Sequence, residues 1–153
     1  MADDGEVELR AHADALAVAL ADALPRWVER CVDRVYRAWN GPPPASVSGA
    51  AAEAGRAARA DIAPRVRDLL TRDIDEQSTT PLALLREGTR YPTRVLQDAG
   101  VPGVERDPMD QAMFPDDAYG LGPASFADVD PALGELGLTW GAAKAWVHRR
   151  RHG

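Results

Sequence analysis

The sequence predicts an all-α fold, and three observations predict it. Apolar residues recur at steps of three and four along two long stretches. Proline, glycine and hydroxyl residues fall where helices start and stop. No segment alternates apolar and polar side chains as a half-buried strand does. The expected architecture is one domain spanning 1–153. It comprises a long antiparallel helical hairpin with proline interruptions (6–39 and 48–77), two short capped helices in 80–100, an irregular acidic strap over 101–137, and a C-terminal amphipathic helix over 139–151.

In the first helix Leu16, Leu20, Leu24, Trp27, Val28, Cys31, Val35 and Trp39 form the apolar stripe, with Asp22, Arg26, Glu29, Arg30, Asp33 and Arg37 opposite. The phase survives Pro25, so the reading is one helix bent there, or two collinear helices with Pro25 in the first turn of the second. Asn40-Gly-Pro-Pro-Pro stops it. Ser46 or Ser48 can cap the second helix, whose first half, GAAAEAGRAARA, offers only small residues and so admits a close neighbour. Its second half places Ile62, Val66, Leu69, Leu70 and Ile74 on one face and is interrupted by Pro64. Val28, Val35, Val66 and Leu69 are the expected buried positions.

Acids precede arginines by four residues at Asp22/Arg26, Asp33/Arg37, Asp61/Arg65 and Asp68/Arg72. That orientation favours a helix by roughly 0.2–0.5 kcal/mol per pair and reads as solvated surface. Thr80-Pro81 opens LALLRE and Gly88 closes it; Pro92 opens TRVLQDA and Gly100 closes it. In the final helix Thr139 is the candidate cap, and Trp140, Ala143 and Val147 share a face with Trp146 beside it.

The strap carries the apolar anchors Met109, Met113, Phe114, Tyr119, Leu121 and Phe126. A disordered tail lacks such anchors, so an ordered strap over the hairpin is expected, with the terminal helix docking back and its arginines near the strap's acids.

The charge is uneven. The chain carries a net charge of -6, and of its 18 basic residues all but Lys144 are arginine. Residues 101–135 hold eight acids and one base, whereas 136–153 hold Lys144, Arg149, Arg150, Arg151 and no acid. The net negative charge argues against generalised nucleic-acid binding. The acidic start lacks a signal-peptide pattern, the longest apolar run falls far short of a membrane span, and Cys31 is the single cysteine. A cytoplasmic protein is expected. Abundant alanine, arginine and glycine with one lysine suggest a GC-rich bacterial source.

Few residues suggest chemistry. His148 and His152 stand four apart, but three arginines lie between them and no third ligand is indicated. Asp107, Asp110, Asp116, Asp117, Asp128 and Asp130 are dense, yet the ligand order of a calcium loop is missing. Asp107-Pro108, Pro115-Asp116 and Asp130-Pro131 read as turns and caps. Cys31 lies on the apolar stripe and reads as a packing thiol. No phosphate-loop, dinucleotide, nucleophile-elbow or zinc-protease pattern occurs. The pair of short helices lacks the polar N-terminal side chains of a DNA-recognition helix.

The run from Thr80 to Lys144 includes TPLALLR, YPTRVLQDAGVP and FPDDAYGLGPASFADVDPALGELGLTWGAAKAW. Over about residues 80–147 it resembles a group of small, uncharacterised actinobacterial helical proteins. The resemblance implies a cytoplasmic actinobacterial protein and brings no activity, cofactor or catalytic residue with it.

The leading expectation is a non-enzymatic binding or regulatory protein engaging a protein partner through a helix face or the acidic strap. Asp116, Asp117, Tyr119, Arg149, Arg150 and Arg151 are the candidate contact residues. No catalytic residue, metal ligand or cofactor is assigned. A nucleic-acid- or ribosome-associated factor using the arginine cluster is the first alternative, and a small enzyme with a carboxylate site in 107–130 the second. A second copy of the chain is a further partner class.

Overall fold

The structure, a computed structural model, describes residues 4–72, 80–105, 108–109, 113 and 123–152. These residues are predominantly helical, and no strand occurs among them, as an all-α fold requires. Helix α1 spans Asp4–Asn40, α2 Ala45–Arg72, α3 Thr80–Arg86, α4 Arg90–Asp98 and α5 Pro131–His152. A 3-10 turn at Glu87–Thr89 joins α3 to α4, and another at Pro123–Asp128 leads into α5. No helix among the described residues is long and apolar enough to cross a membrane.

Helix α1 is continuous through Pro25, with 37 residues, a length of about 55 Å at 1.5 Å per residue. It is the spine of the molecule, packing against α2, α4 and α5. Gly41 ends it in the left-handed region (φ 77), donating its N–H to the Arg37 carbonyl at 3.1 Å. Helix α2 starts at Ala45, three residues before the expected boundary, because Pro44 supplies the first acceptor. Its carbonyl takes the N–H groups of Val47 and Ser48 at 3.0 and 3.1 Å. The expected continuation of this helix to residue 77, including Ile74, lies outside the described residues.

Two ion pairs fix how α1 and α2 run. Asp22 meets Arg59 and Asp14 meets Arg67, each at 3.5 Å. Eight residues back along α1 correspond to eight forward along α2, so the helices are antiparallel. Helix α5 also runs against α1: the Arg30 side chain donates to the Val129 carbonyl at 2.5 Å at one end. At the other end Trp146 lies on Gly5 and Arg151 pairs with Glu6.

One continuous core joins these helices. Leu16, Leu20, Leu24 and Val28 from α1 and Ile62, Val66 and Leu70 from α2 are wholly buried. The expected inward faces need two corrections. Leu69 is half-buried and Leu70 takes the core position, because Ile62, Val66 and Leu70 continue one row at steps of four. Likewise Val35 is half-buried while Val32 and Tyr36 turn inward, continuing the row from Val28. Trp39, beyond that row, is 44% exposed.

Boundary signals in the sequence match the structure at some places and not at others. Gly100 (φ 84) closes α4 with paired bonds, Gly100 N–H to the Gln97 carbonyl and Val101 N–H to the Leu96 carbonyl, both 3.0 Å. Val101 is buried beside it. Gly88 does not close α3 in this way. It sits buried in the 3-10 turn, where a Cβ would come within 3.2 Å of the Trp27 ring. Helix α4 begins at Arg90, so Pro92 lies within its first turn.

The largest correction concerns the strap and the terminal helix. Residues 123–128 are 3-10 helix, and α5 begins at Pro131 instead of 139. Asp130 is its cap: its Oδ1 accepts the Ala132 N–H at 2.9 Å, with proline at the first helical position. Thr139 is interior, donating its hydroxyl to the Glu135 carbonyl at 2.9 Å. The glycines that suggest irregular chain are packing positions here. A Cβ on Gly134 would stand 3.0 Å from the Ala127 side chain, and Gly137 is buried. Among the expected anchors Met109, Met113 and Phe126 are buried. Phe114, Tyr119 and Leu121 lie outside the described residues.

Candidate functional site

The small-residue half of α2 serves two neighbours. Ala51, Gly55 and Ala58 form the row buried toward α1. At Gly55 the approach is close enough that a Cβ would stand 2.9 Å from the Cα and carbonyl oxygen of Pro25. The adjacent row, Ala50, Ala54 and Ala57, floors an open trough of about 1280 Å³ whose far wall is α4.

Each wall has its own chemistry. Helix α4 contributes Arg90, Arg94, Gln97 and Asp98, with Arg90 and Arg94 one turn apart. Helix α2 contributes Glu53, and Ala83, Arg86 and Glu87 close the end beneath α3. Thr93 and Thr89 belong to the same wall, but their hydroxyls donate internally, to the Thr89 and Arg86 carbonyls at 2.6 and 2.8 Å.

Asp61 clasps the two walls together. Its Oδ2 accepts from the Tyr91 hydroxyl at 2.7 Å and from Arg90 at 2.6 Å, while Arg65 lies 3.7 Å from Oδ1. Arg65 also reaches Glu87 at 3.2 Å. The Tyr91 hydroxyl is the largest influence holding the Asp61 carboxyl below its ordinary value, and the charges of Arg90 and Arg65 act the same way against partial desolvation. The Arg90 guanidinium, 5.1 Å from the Tyr91 ring centroid, is raised, first by its hydrogen bond with that tyrosine. Asp61/Arg65 is therefore part of an interhelix network. Asp22 likewise reaches across to Arg59. Asp33/Arg37 and Asp68/Arg72 form the pairs along one helix that their spacing implies.

The arginine cluster is folded onto its surroundings. Arg151 pairs with Glu6 of α1, and Arg150 stacks 4.7 Å from the Trp146 ring centroid. Arg149 is exposed. Thus Arg151 docks on an acid of α1; the strap acids Asp116 and Asp117, like Tyr119, lie outside the described residues. Cys31 is buried, and burial pushes its thiol up to about 11 against the opposing influence of Arg34. At neutral pH it is a packing thiol, since the thiolate is the reactive form. Among the described residues no three metal-ligating side chains come together.

Two features escape sequence reasoning. Lys144, which by charge belongs to a basic tail, is 1% exposed, with Nζ 4.6 Å from the Trp140 ring centroid. Position 144 lies four residues after Trp140 and three before Val147, so helical periodicity alone places it inward. Trp140 is the hub of this region. Its Nε1 donates to the Leu70 carbonyl at 3.1 Å, and Phe126 meets its ring edge-on at 6.2 Å. The trough also escapes notice, because it depends on how far α4 stands from a face defined only by alanines.

Comparison with protein-family models, curated proteins and solved structures finds no match for this chain.

Proposed function

We propose that this chain is a non-enzymatic binding protein that seats a helical segment of a partner protein in the trough between α2 and α4. The observation that carries the reading is the trough's form: an alanine floor between two helices, about 1280 Å³ and open to solvent. Small-molecule sites are typically enclosed and of roughly 300–1,000 Å³, with convergent polar groups. Here wall polar groups are already committed elsewhere: Tyr91 and Arg90 both donate to Asp61, and the Thr89 and Thr93 hydroxyls donate to backbone carbonyls. A segment with a small apolar face would fill the floor, as amphipathic helices fill hydrophobic grooves elsewhere. An acidic side chain on that segment would meet Arg94, which is exposed on the α4 wall.

The test is affinity capture from the source organism with and without nuclease, comparing the unaltered chain with Ala54→Trp and Arg94→Glu. Ala54 is half-buried at the floor, so the tryptophan obstructs the trough from solvent. The expected result is a protein recovered in nuclease-resistant fashion by the unaltered chain and lost with both variants at unchanged helicity. Recovery unaffected by either substitution, or abolished by nuclease, would overturn the reading.

A further inference from the structure

The outer face of α5 carries a pattern of its own, independent of the trough. The inward face presents Leu133, Trp140, Lys144 and Val147 to the core. An amphipathic helix would place polar side chains opposite them. Instead the outward face presents Leu138, 56% exposed, exposed Ala142, and Trp146, whose ring rests on Gly5 of α1 and carries the Arg150 guanidinium 4.7 Å from its centroid yet remains 42% exposed. Between Glu135 and Arg149 the ionisable side chains are Lys144, which is buried, and His148, which is half-buried. Two turns of exposed helix therefore carry no exposed charge, in a chain of which 27% is charged. A helix apolar on both faces is normally covered on both.

The order of residues on this face says what fits it. Glu135, Leu138, Ala142, Trp146 and Arg149 follow one another at helical spacing, and the sequence of types is acid, large apolar, small, large apolar, base. Ala142 stands midway between Leu138 and Trp146, and also midway between Glu135 and Arg149. We infer that this face is a two-fold, antiparallel interface with a second copy of the same chain, crossing at Ala142. In that arrangement Leu138 of each copy packs beside Trp146 of the other. Glu135 of each faces Arg149 of the other, so both ends close with opposite charges. Ala142 at the crossing permits the short interaxial distance, about 8 Å, that small contact residues allow. An isologous interface requires such self-complementarity, each residue on one side of the axis matching its counterpart across it. An unrelated partner would not require the symmetric placement of both pairs about one alanine.

A single helix face is small against the roughly 1,200–2,000 Å² of a standard interface, so the dimer should be reversible and concentration-dependent. Sedimentation velocity of the full chain over a hundredfold concentration range is the test, with folding of every variant checked by circular dichroism. The unaltered chain should pass from monomer to dimer within the range, and Ala142→Arg should remain monomeric. Glu135→Arg and Arg149→Glu should each weaken association tenfold or more by opposing like charges, and the double variant should recover most of the loss. A chain that is monomeric throughout overturns the inference. So does a dimer indifferent to Ala142→Arg, which would use another surface, or a double variant no tighter than the single ones, which would rule out the antiparallel register.

Discussion

The same substitution, glycine to alanine, should have opposite signs at two positions six residues apart on α2. At Gly49 an added Cβ meets nothing within 4 Å, so Gly49→Ala gains helix propensity and loses nothing. Glycine is less favourable than alanine by roughly 0.8–1 kcal/mol in a helix interior, and less near a helix start, so a gain of about 0.5 kcal/mol is expected. At Gly55 the added Cβ stands 2.9 Å from the Cα and carbonyl oxygen of Pro25. Those are backbone atoms of a residue whose ring fixes φ, and neither can swing aside. Helices α1 and α2 must separate, loosening Leu24, Ala58 and Ile62, which are wholly buried nearby. Overpacking of this kind costs roughly 1–3 kcal/mol, which exceeds the propensity gain. A net loss of about 1–2 kcal/mol is expected. Urea denaturation should show the two midpoints moving in opposite directions at unchanged slope. If Gly55→Ala proves as stabilising as Gly49→Ala, the close approach of α1 and α2 at Pro25 is wrong, and with it the account of the small-residue row.

Other perturbations test separate parts of the structure. Leu70→Ala should cost roughly 2–5 kcal/mol, Leu69→Ala distinctly less, and Arg37→Ala less than about 0.5 kcal/mol, all read by urea unfolding; equal losses at 69 and 70 would contradict the assigned face of α2. Phe126→Ala should cost roughly 3–5 kcal/mol and expose the 123–128 turn to proteolysis, because the ring is wholly buried edge-on to Trp140. Because the folded value of Asp61 is lowered, its contribution is complete above the unfolded carboxylate value of about 3.9 and is lost as pH falls through the lowered folded value. Asp61→Asn should therefore reduce stability at neutral pH and flatten the acid limb of a stability–pH profile, while leaving the profile above about pH 5 parallel to that of the unaltered chain.

Periodicity carries much of this architecture. Rows at steps of three and four mark the inward side of α1 over most of its length, and the prolines at 25 and 64 break neither helix. Toward the end of α1 the same rule allows two rows, Val28–Val32–Tyr36 and Cys31–Val35–Trp39. Only the placement of the neighbouring helices chooses between them: the first row is buried throughout, whereas Trp39, last of the second, is 44% exposed.

Caps are legible where a left-handed glycine performs them, as at Gly100; Asp130-Pro131 carries a cap pattern too, yet Thr139 is the expected start of the final helix and lies inside it. Glycines used for close packing are not legible, because Gly88, Gly134 and Gly137 look in sequence like chain breakers, and this hides the first two turns of α5. Lys144 misleads for a related reason: its charge suggests solvent, while its spacing from Trp140 places it in the core. The trough lies beyond sequence reasoning because alanines do not distinguish a face covered by a helix from one that a helix only overhangs.

Site-specific photocrosslinking in the source cells would show whether the α2–α4 trough receives a protein segment, as proposed above. A benzophenone side chain placed at Ala57, which lines the trough, should yield a discrete nuclease-resistant protein adduct. The same group at Arg37, on the exposed face of α1, should yield none. Adducts of equal yield from both positions, or none from Ala57, would contradict the account.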